Sequence, residues 1–110
     1  MVLIGRDLLA LARVETAATR AGLATLRIDP GDSPPAALHV AAVVVDLDDA
    51  GSPGAVHAAA MAAASGAPGL AFFSHLDEEA GRAARDAGLT ALPRGRFWRE
   101  VDALLQNAAR

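Results

Sequence analysis

The stretch AAVVVDLDDAG, residues 41–51, decides the fold because a continuous β-branched run ends abruptly in acidic residues. Consecutive valines without polar alternation are typical of a strand that is buried on both faces of a parallel sheet. The strand is predicted at 41–46, so that it ends on Asp46, and Asp48 and Asp49 follow. The acidic end is either an ordinary strand exit with solvated carboxylates or the rim of a site that handles cations and phosphate.

The composition restricts the classes of protein that the chain can belong to. A length of 110 residues predicts one domain, 1–110. The net charge of −3 argues against a nucleic-acid-binding surface, and no apolar run is long enough to span a membrane. All ten basic residues are arginine, and cysteine is absent, which excludes disulfides and thiolate metal sites. We therefore expect a soluble cytoplasmic domain that binds neither nucleic acid nor membranes.

Short apolar runs alternate with helical patterns along the rest of the chain. Further strands are predicted at 2–5, 24–29, 70–73 and 89–92. Helices are predicted at 7–22, from Ser52 to about 65, at 76–88 and at 96–110, with at most a short helix around Pro35–Leu38. Ser52 followed by Pro53 indicates a helix start, and Ser74 with Asp77 resembles a capping box.

Five strands that alternate with helices imply a parallel sheet with helices on both faces. Two strand orders are natural for such a sheet, the flavodoxin-like order 2-1-3-4-5 and a half-Rossmann arrangement. Ligands then bind at the carboxyl ends of the strands, near the point where the strand order reverses. In the flavodoxin-like order, Arg6 and Asp7 should face Asp46 across the crevice, with Ser74 beside them.

The chain resembles, over nearly its whole length, the CheY-like receiver domain of bacterial response regulators. The segment 41–51 is similar to the third strand and following loop of that family, in which Asp46 takes the place of the phosphorylatable aspartate and Gly51 that of the loop glycine. In the segment 70–97, Ser74 lies where the family has a Ser or Thr that contacts the phosphoryl group. The resemblance implies a flavodoxin-like three-layer sandwich of order 2-1-3-4-5 and a role in two-component signal transduction.

The sequence departs from the pattern of this family at its most important charges. The family ends its first strand with two adjacent acids that hold a divalent cation, whereas here Gly5 and Arg6 replace most of that pair and only Asp7 is acidic. The family also has a lysine after the fifth strand, but this chain has none, and Arg94 follows Pro93 nearby. No aromatic residue stands at 89–92, where the family has an aromatic switch position.

These departures predict a pseudo-receiver that is not phosphorylated, has no cofactor and is not an enzyme. Phosphorylation of an aspartate needs a hard cation, and an arginine in place of a carboxylate puts a permanent positive charge there. We expect Asp46 to be partly buried and to pair with Arg6 or Arg94. One alternative is a working phosphoacceptor, with Asp46, Asp7 and Asp48 around Mg²⁺. A second alternative is a small α/β ligand-binding domain or enzyme.

We expect such a module to have no effector domain attached, so that its output lies in another protein. The candidate interface combines basic residues with a tryptophan near the end of the chain, namely Arg94, Arg96, Trp98 and Arg99. The preceding helix is acidic, with Asp77, Glu78, Glu79 and Asp86. A homodimer through the last two helices is therefore possible. The three histidines lack metal-ligand spacing, and only His75, beside Ser74, falls at the expected site.

Overall fold

A computed structural model describes residues 1–33, 39–74 and 76–110 of the chain. Its sheet has five strands, β1 (Val2–Ile4), β2 (Leu26–Ile28), β3 (Val43–Asp46), β4 (Gly69–Phe73) and β5 (Thr90–Pro93). All neighbouring strands are parallel, and their order is β2-β1-β3-β4-β5. The predicted flavodoxin-like order is confirmed, so the strand order reverses between β1 and β3.

Helices cover both faces of this sheet. They are α1 (Leu8–Arg20), α2 (Leu47–Ser65), α3 (Glu78–Asp86) and α4 (Arg94–Ala108). The helices α1 and α4 pack together on one face, and α2 and α3 pack together on the other. The short helix predicted around Pro35–Leu38 lies outside the described residues. Among the helices that the structure describes, none is both long and apolar enough to cross a membrane.

The central strand β3 contributes to both hydrophobic cores, which accounts for its unbroken run of valines. Val44 packs with Leu3 and Phe72 beneath α1 and α4. Val43 and Val45 point to the opposite face and pack in the core beneath α2 and α3. Because successive side chains of a strand alternate between faces, only an uninterrupted apolar sequence can supply both cores.

Two helices begin earlier than the sequence predicted. α2 starts at Leu47 with a short turn capped by Asp46, kinks at Gly51 (φ 64°, ψ −165°) and then continues as the long helix predicted from Ser52. A side chain at Gly51 would oppose this backbone conformation, so the glycine permits the kink. α4 starts at Arg94, directly after β5, and not at residue 96. Both early starts place charged residues immediately at the carboxyl ends of strands.

Gly81 allows α3 to approach the sheet closely, which gives a test of the packing. An added Cβ at Gly81 would lie 2.4 Å from Cζ of the buried Phe73 ring. We expect Gly81→Ala to lower the free energy of unfolding by about 1–3 kcal/mol, because overpacking has to displace the ring. The matched control is Gly95→Ala in α4, where an added Cβ would point into open space and meet no side chain of the described residues. This control should gain about 0.4–1 kcal/mol. Urea unfolding of both variants provides the measurement. Equal changes in the free energy of unfolding would contradict the close packing of Gly81 on Phe73.

Candidate functional site

Asp46 is a fully buried carboxylate at the carboxyl end of the central strand. Its side chain is 1% exposed. The backbone N–H of Asp48 donates a hydrogen bond to Oδ1 at 3.1 Å, and Nη2 of Arg94 lies 3.2 Å from both Oδ1 and Oδ2. Of the two partners that the sequence offered for Asp46, the structure selects Arg94.

Arg94 is the centre of a compact group of charges, which we call the Arg94 cluster: Asp7, Asp46, Asp48 and Arg94. Besides Asp46, its guanidinium contacts Asp48 through a hydrogen bond from Nε to Oδ2 at 2.7 Å, and Nη2 lies 3.9 Å from Oδ2 of Asp7. The guanidinium carbon also lies 5.0 Å from the ring centroid of Phe72, which precedes the end of β4. Arg94 therefore reaches from β5 across β4 to the end of β3.

Arg6 does not contact Asp46, and the predicted pairing of these two residues is wrong. Its side chain is 61% exposed, and its Nε lies 3.9 Å from Oδ1 of Asp29. The physical reason is the strand order, because β1 lies between β3 and β2 and the Arg6 side chain turns toward the residues that follow β2. Gly5 faces the site instead, since a Cβ added there would lie 3.1 Å from Cβ of Asp46.

Asp7, the acid that follows β1, caps a helix. Its Oδ1 accepts hydrogen bonds from the backbone N–H groups of Leu9 and Ala10 at 3.2 and 3.3 Å. This is the usual N-cap arrangement, which satisfies otherwise unpaired donors in the first turn of α1. The other oxygen of Asp7 faces Arg94, so one carboxylate links α1 to the Arg94 cluster.

Ser74 lies beside the Arg94 cluster, but it does not cap α3 as the sequence predicted. Its backbone N–H donates a hydrogen bond to Oδ1 of Asp48 at 2.9 Å, and its Oγ accepts one from the N–H of Leu76 at 3.4 Å. The N-cap of α3 is Asp77, whose Oδ1 accepts from the N–H of Ala80 at 3.1 Å. His75 lies outside the described residues.

The electrostatics of the cluster follow from burial and from an excess of carboxylates. Burial raises the pKa of Asp46 above its usual value, because the attraction of Arg94 and the hydrogen bond from Asp48 only partly offset the loss of solvation. At Arg94 burial acts to lower the pKa, but the hydrogen bond with Asp48 and the nearby carboxylates outweigh it and raise the pKa. Arg94 is thus a permanent cation at the site.

The side chains in this arrangement do not fit a divalent metal ion. Within residues 1–33, 39–74 and 76–110, no group of three or more His, Asp or Glu side chains is placed to hold a metal. Asp7, Asp46 and Asp48 do converge, but the Arg94 guanidinium lies among them and engages both oxygens of Asp46. The cation that offsets these carboxylates is therefore covalently part of the chain.

The residues predicted as an interface differ in their exposure and in their partners. Arg94 belongs to the cluster, and Arg96 pairs with Glu100 within α4 at 2.6 Å. Trp98 is half-buried, its ring 5.2 Å from Phe72, with the guanidinium of Arg13 stacked 4.2 Å from its centroid. Arg99 is exposed. The contact of Arg13 was missed, because nothing in the sequence links residue 13 to residue 98.

The burial of Asp46 predicts unequal effects when the two arginines are removed. We expect Arg94→Ala to lower the free energy of unfolding at neutral pH by about 3–5 kcal/mol, because it leaves a buried carboxylate without its partner. Arg6→Ala is the matched control and should cost about 0–1 kcal/mol, as expected for an exposed pair. Urea unfolding midpoints of the two variants provide the measurement.

The penalty for Arg94→Ala should also shrink as the pH falls. A carboxyl group with a raised pKa binds its proton more readily in the folded state than in the unfolded state, so acidification through that pKa favours folding. Because the charge of Arg94 lowers the pKa of Asp46 in the wild-type protein, acidification should stabilise Arg94→Ala more than it stabilises the wild-type protein. A penalty that is unchanged or larger in acid would show that Asp46 is not the group left unpaired.

Two solved structures resemble the fold over nearly its whole length, whereas no protein-family model and no curated protein sequence matches the chain. The first is a response regulator receiver domain from Rhodospirillum rubrum, with 18% identity and a TM-score of 0.58, covering 96% of this chain and 90% of that one. The second is a response regulator in red light signaling of R. palustris, with 13% identity and a TM-score of 0.55, covering 94% and 89%. These similarities identify the fold of this chain as that of response regulator receiver domains.

Proposed function

We propose that the chain is a single receiver-like signalling module, residues 1–110, that works in the cytoplasm through protein interaction and has no enzymatic activity. The observation that carries the proposal is the contact of Arg94 with both oxygens of the buried Asp46. In this contact, a positive charge of the chain itself offsets the negative charge of the buried aspartate. The module therefore holds one state without phosphate or metal.

Phosphorylation of Asp46 requires an exposed carboxylate oxygen and a divalent cation close to it. Both requirements conflict with the observed geometry, since the Asp46 side chain is 1% exposed and each oxygen is engaged by Arg94. A guanidinium cannot lose its charge at physiological pH, so it repels an incoming Mg²⁺. A donor would have to displace Arg94 before it reached the nucleophilic oxygen.

Arg94 also supports a proposal for the counterpart of the missing lysine. The resemblance places a lysine after the fifth strand, and Arg94 is the first residue after β5. A lysine offers a compact, mobile ammonium group, whereas arginine offers a planar fork that can engage two carboxylates at once. Here the fork joins Asp46 to Asp48. This arrangement favours a constant structure over a switch.

The alternative, a working phosphoacceptor, is addressed by intact-mass spectrometry after incubation with acetyl phosphate and Mg²⁺. We expect the wild-type mass to stay unchanged, because Arg94 blocks both the nucleophile and the metal. Asp46→Asn is the control for labelling at other residues. A gain of one phosphoryl group in the wild-type protein but not in Asp46→Asn would show that Asp46 is an acceptor and overturn the proposal.

The role of Arg94 can be separated from the role of burial by adding Mg²⁺ to Arg94→Gln. Glutamine keeps hydrogen-bonding capacity but removes the charge, so Asp7, Asp46 and Asp48 would then lack their resident cation. We expect Mg²⁺ to raise the thermal midpoint of Arg94→Gln and not that of the wild-type protein or of Arg96→Gln, the matched control on α4. Equal responses of all three proteins would contradict the role given to Arg94.

A homodimer through the last two helices stays a proposal, and the geometry restricts its form. α3 and α4 lie on opposite faces of the sheet and flank its edge strand β5. An isologous dimer would thus have to form across the β5 edge, with acidic α3 residues near Arg96 and Arg99 of the second copy. Such exposed charge contacts are weakened by salt.

The dimer is tested by light scattering at low and high salt. We expect an association at low salt that is lost in the double variant Arg96→Glu and Arg99→Glu, because the reversed charges repel acidic residues of the second copy. Reversal of Arg27, an exposed arginine on β2 at the other edge of the sheet, is the control. A monomer at high protein concentration and low salt would exclude the dimer and leave a heterologous partner.

A further inference from the structure

A groove between α1 and α4 opens on the outside of the protein, and none of its lining residues belongs to the Arg94 cluster. It has a volume of about 310 Å³. Two helices that pack against the same face of the sheet form its walls. The residues that line it are Arg13, Thr16, Arg20, Trp98, Val101 and Asp102.

The groove carries an excess of positive charge, although the net charge of the chain is −3. Nη1 of Arg20 donates to both oxygens of Asp102 at 2.8 and 3.0 Å, so these two charges offset each other. The guanidinium of Arg13 stacks on Trp98, and within the described residues no carboxylate lies within ion-pair distance of it. Its N–H donors are available to a ligand.

The wall formed by α4 supplies an apolar surface next to these donors. Trp98 is half-buried and packs on Phe72 and Phe97 at centroid distances of 5.2 and 5.3 Å, so its ring is held in place. A guanidinium stacked on an aromatic ring keeps its edge free for hydrogen bonds. Arginine forks are suited to carboxylates, and tryptophan is a frequent anchor at protein interfaces.

We infer that the groove between α1 and α4 binds an acidic peptide segment of a partner protein. The inference rests on the proposed function, because it names the partner surface of the signalling module. Charge complementarity selects a partner with carboxylates, and Trp98 and Val101 offer contacts to its apolar groups. The groove lies between two helices on the outside of the protein, where an extended peptide can reach it.

The groove borders the candidate site through one aromatic side chain. Phe72 contacts Trp98 on one side, and the guanidinium of Arg94 lies over its ring at 5.0 Å. A peptide bound at Trp98 would thus be separated from the Arg94 cluster by a single packed ring. A constant Arg94 cluster keeps this ring, and with it the Trp98 side chain that packs on it, in one position.

Trp98 is the only tryptophan of the chain, so its fluorescence reports directly on the groove. The probe is a capped hexaglutamate peptide, titrated into the full chain at low ionic strength. We expect a saturable fluorescence change that weakens as salt is added. Arg13→Ala should weaken binding about tenfold or more, because a charge-assisted hydrogen bond is lost. Arg6→Ala, which removes an exposed arginine outside the groove, should bind like the wild-type protein.

Three outcomes would overturn the inference: no saturable change, an equal loss in Arg6→Ala, or an equal response to inorganic phosphate or capped hexalysine. Circular dichroism of Arg13→Ala confirms that this variant is folded. The result is independent of the test of Asp46, because binding in the groove needs neither Mg²⁺ nor a phosphoryl donor. Asp46 could be phosphorylated while the groove still bound hexaglutamate, and the groove could fail while Asp46 stayed unmodified.

Discussion

The burial of one carboxylate at the end of the central strand constrains the whole carboxyl edge of the sheet. Asp46 is 0% exposed, and a buried charge is tolerated only when it is paired and hydrogen-bonded. Arg94 can supply that pair because α4 begins directly after β5, without a loop. A hydrogen bond to Asp48 orients the guanidinium, and Asp7, the N-cap of α1, adds a second carboxylate 3.9 Å from it. Four elements of the fold thus meet at a single ion pair.

The chemical consequence depends on the difference between a bound ion and a side chain. A metal ion that is held by carboxylates dissociates and exchanges, so its site can respond to phosphate and to the concentration of the ion. A guanidinium on α4 is always present at the same effective concentration. In the function that we propose, the guanidinium takes the place of an exchangeable cation, so the module does not depend on an external signal and acts through a constant shape.

The fold could be predicted from the sequence because its strongest signal, the run of valines in β3, is set by burial on both faces. The helix starts were predicted less well, since Asp46 and Pro93 end strands and precede helices at the same time. The choice between Arg6 and Arg94 depended on side-chain direction. Both follow predicted strands, and only the three-dimensional course of β1 beside β2 turns Arg6 toward Asp29. The residue types in the sequence indicated where the site lies, whereas the three-dimensional structure was needed to identify Arg94 as the partner of Asp46.

The structure gives a physical reason for arginine, and not lysine, at two positions of the chain. The aromatic cluster of Phe72, Phe97 and Trp98 is covered by guanidiniums at both ends, by Arg94 over Phe72 and by Arg13 over Trp98. A planar guanidinium can stack on a ring and still direct hydrogen bonds sideways, which a compact, strongly hydrated ammonium group does poorly. At Phe72 the sideways bonds reach Asp46 and Asp48. At Trp98, Arg13 lines the groove, and among the described residues no carboxylate pairs with it. A lysine in place of Arg94 or Arg13 could not stack on the ring and direct hydrogen bonds sideways equally well, and both the Arg94 cluster and the groove depend on that combination.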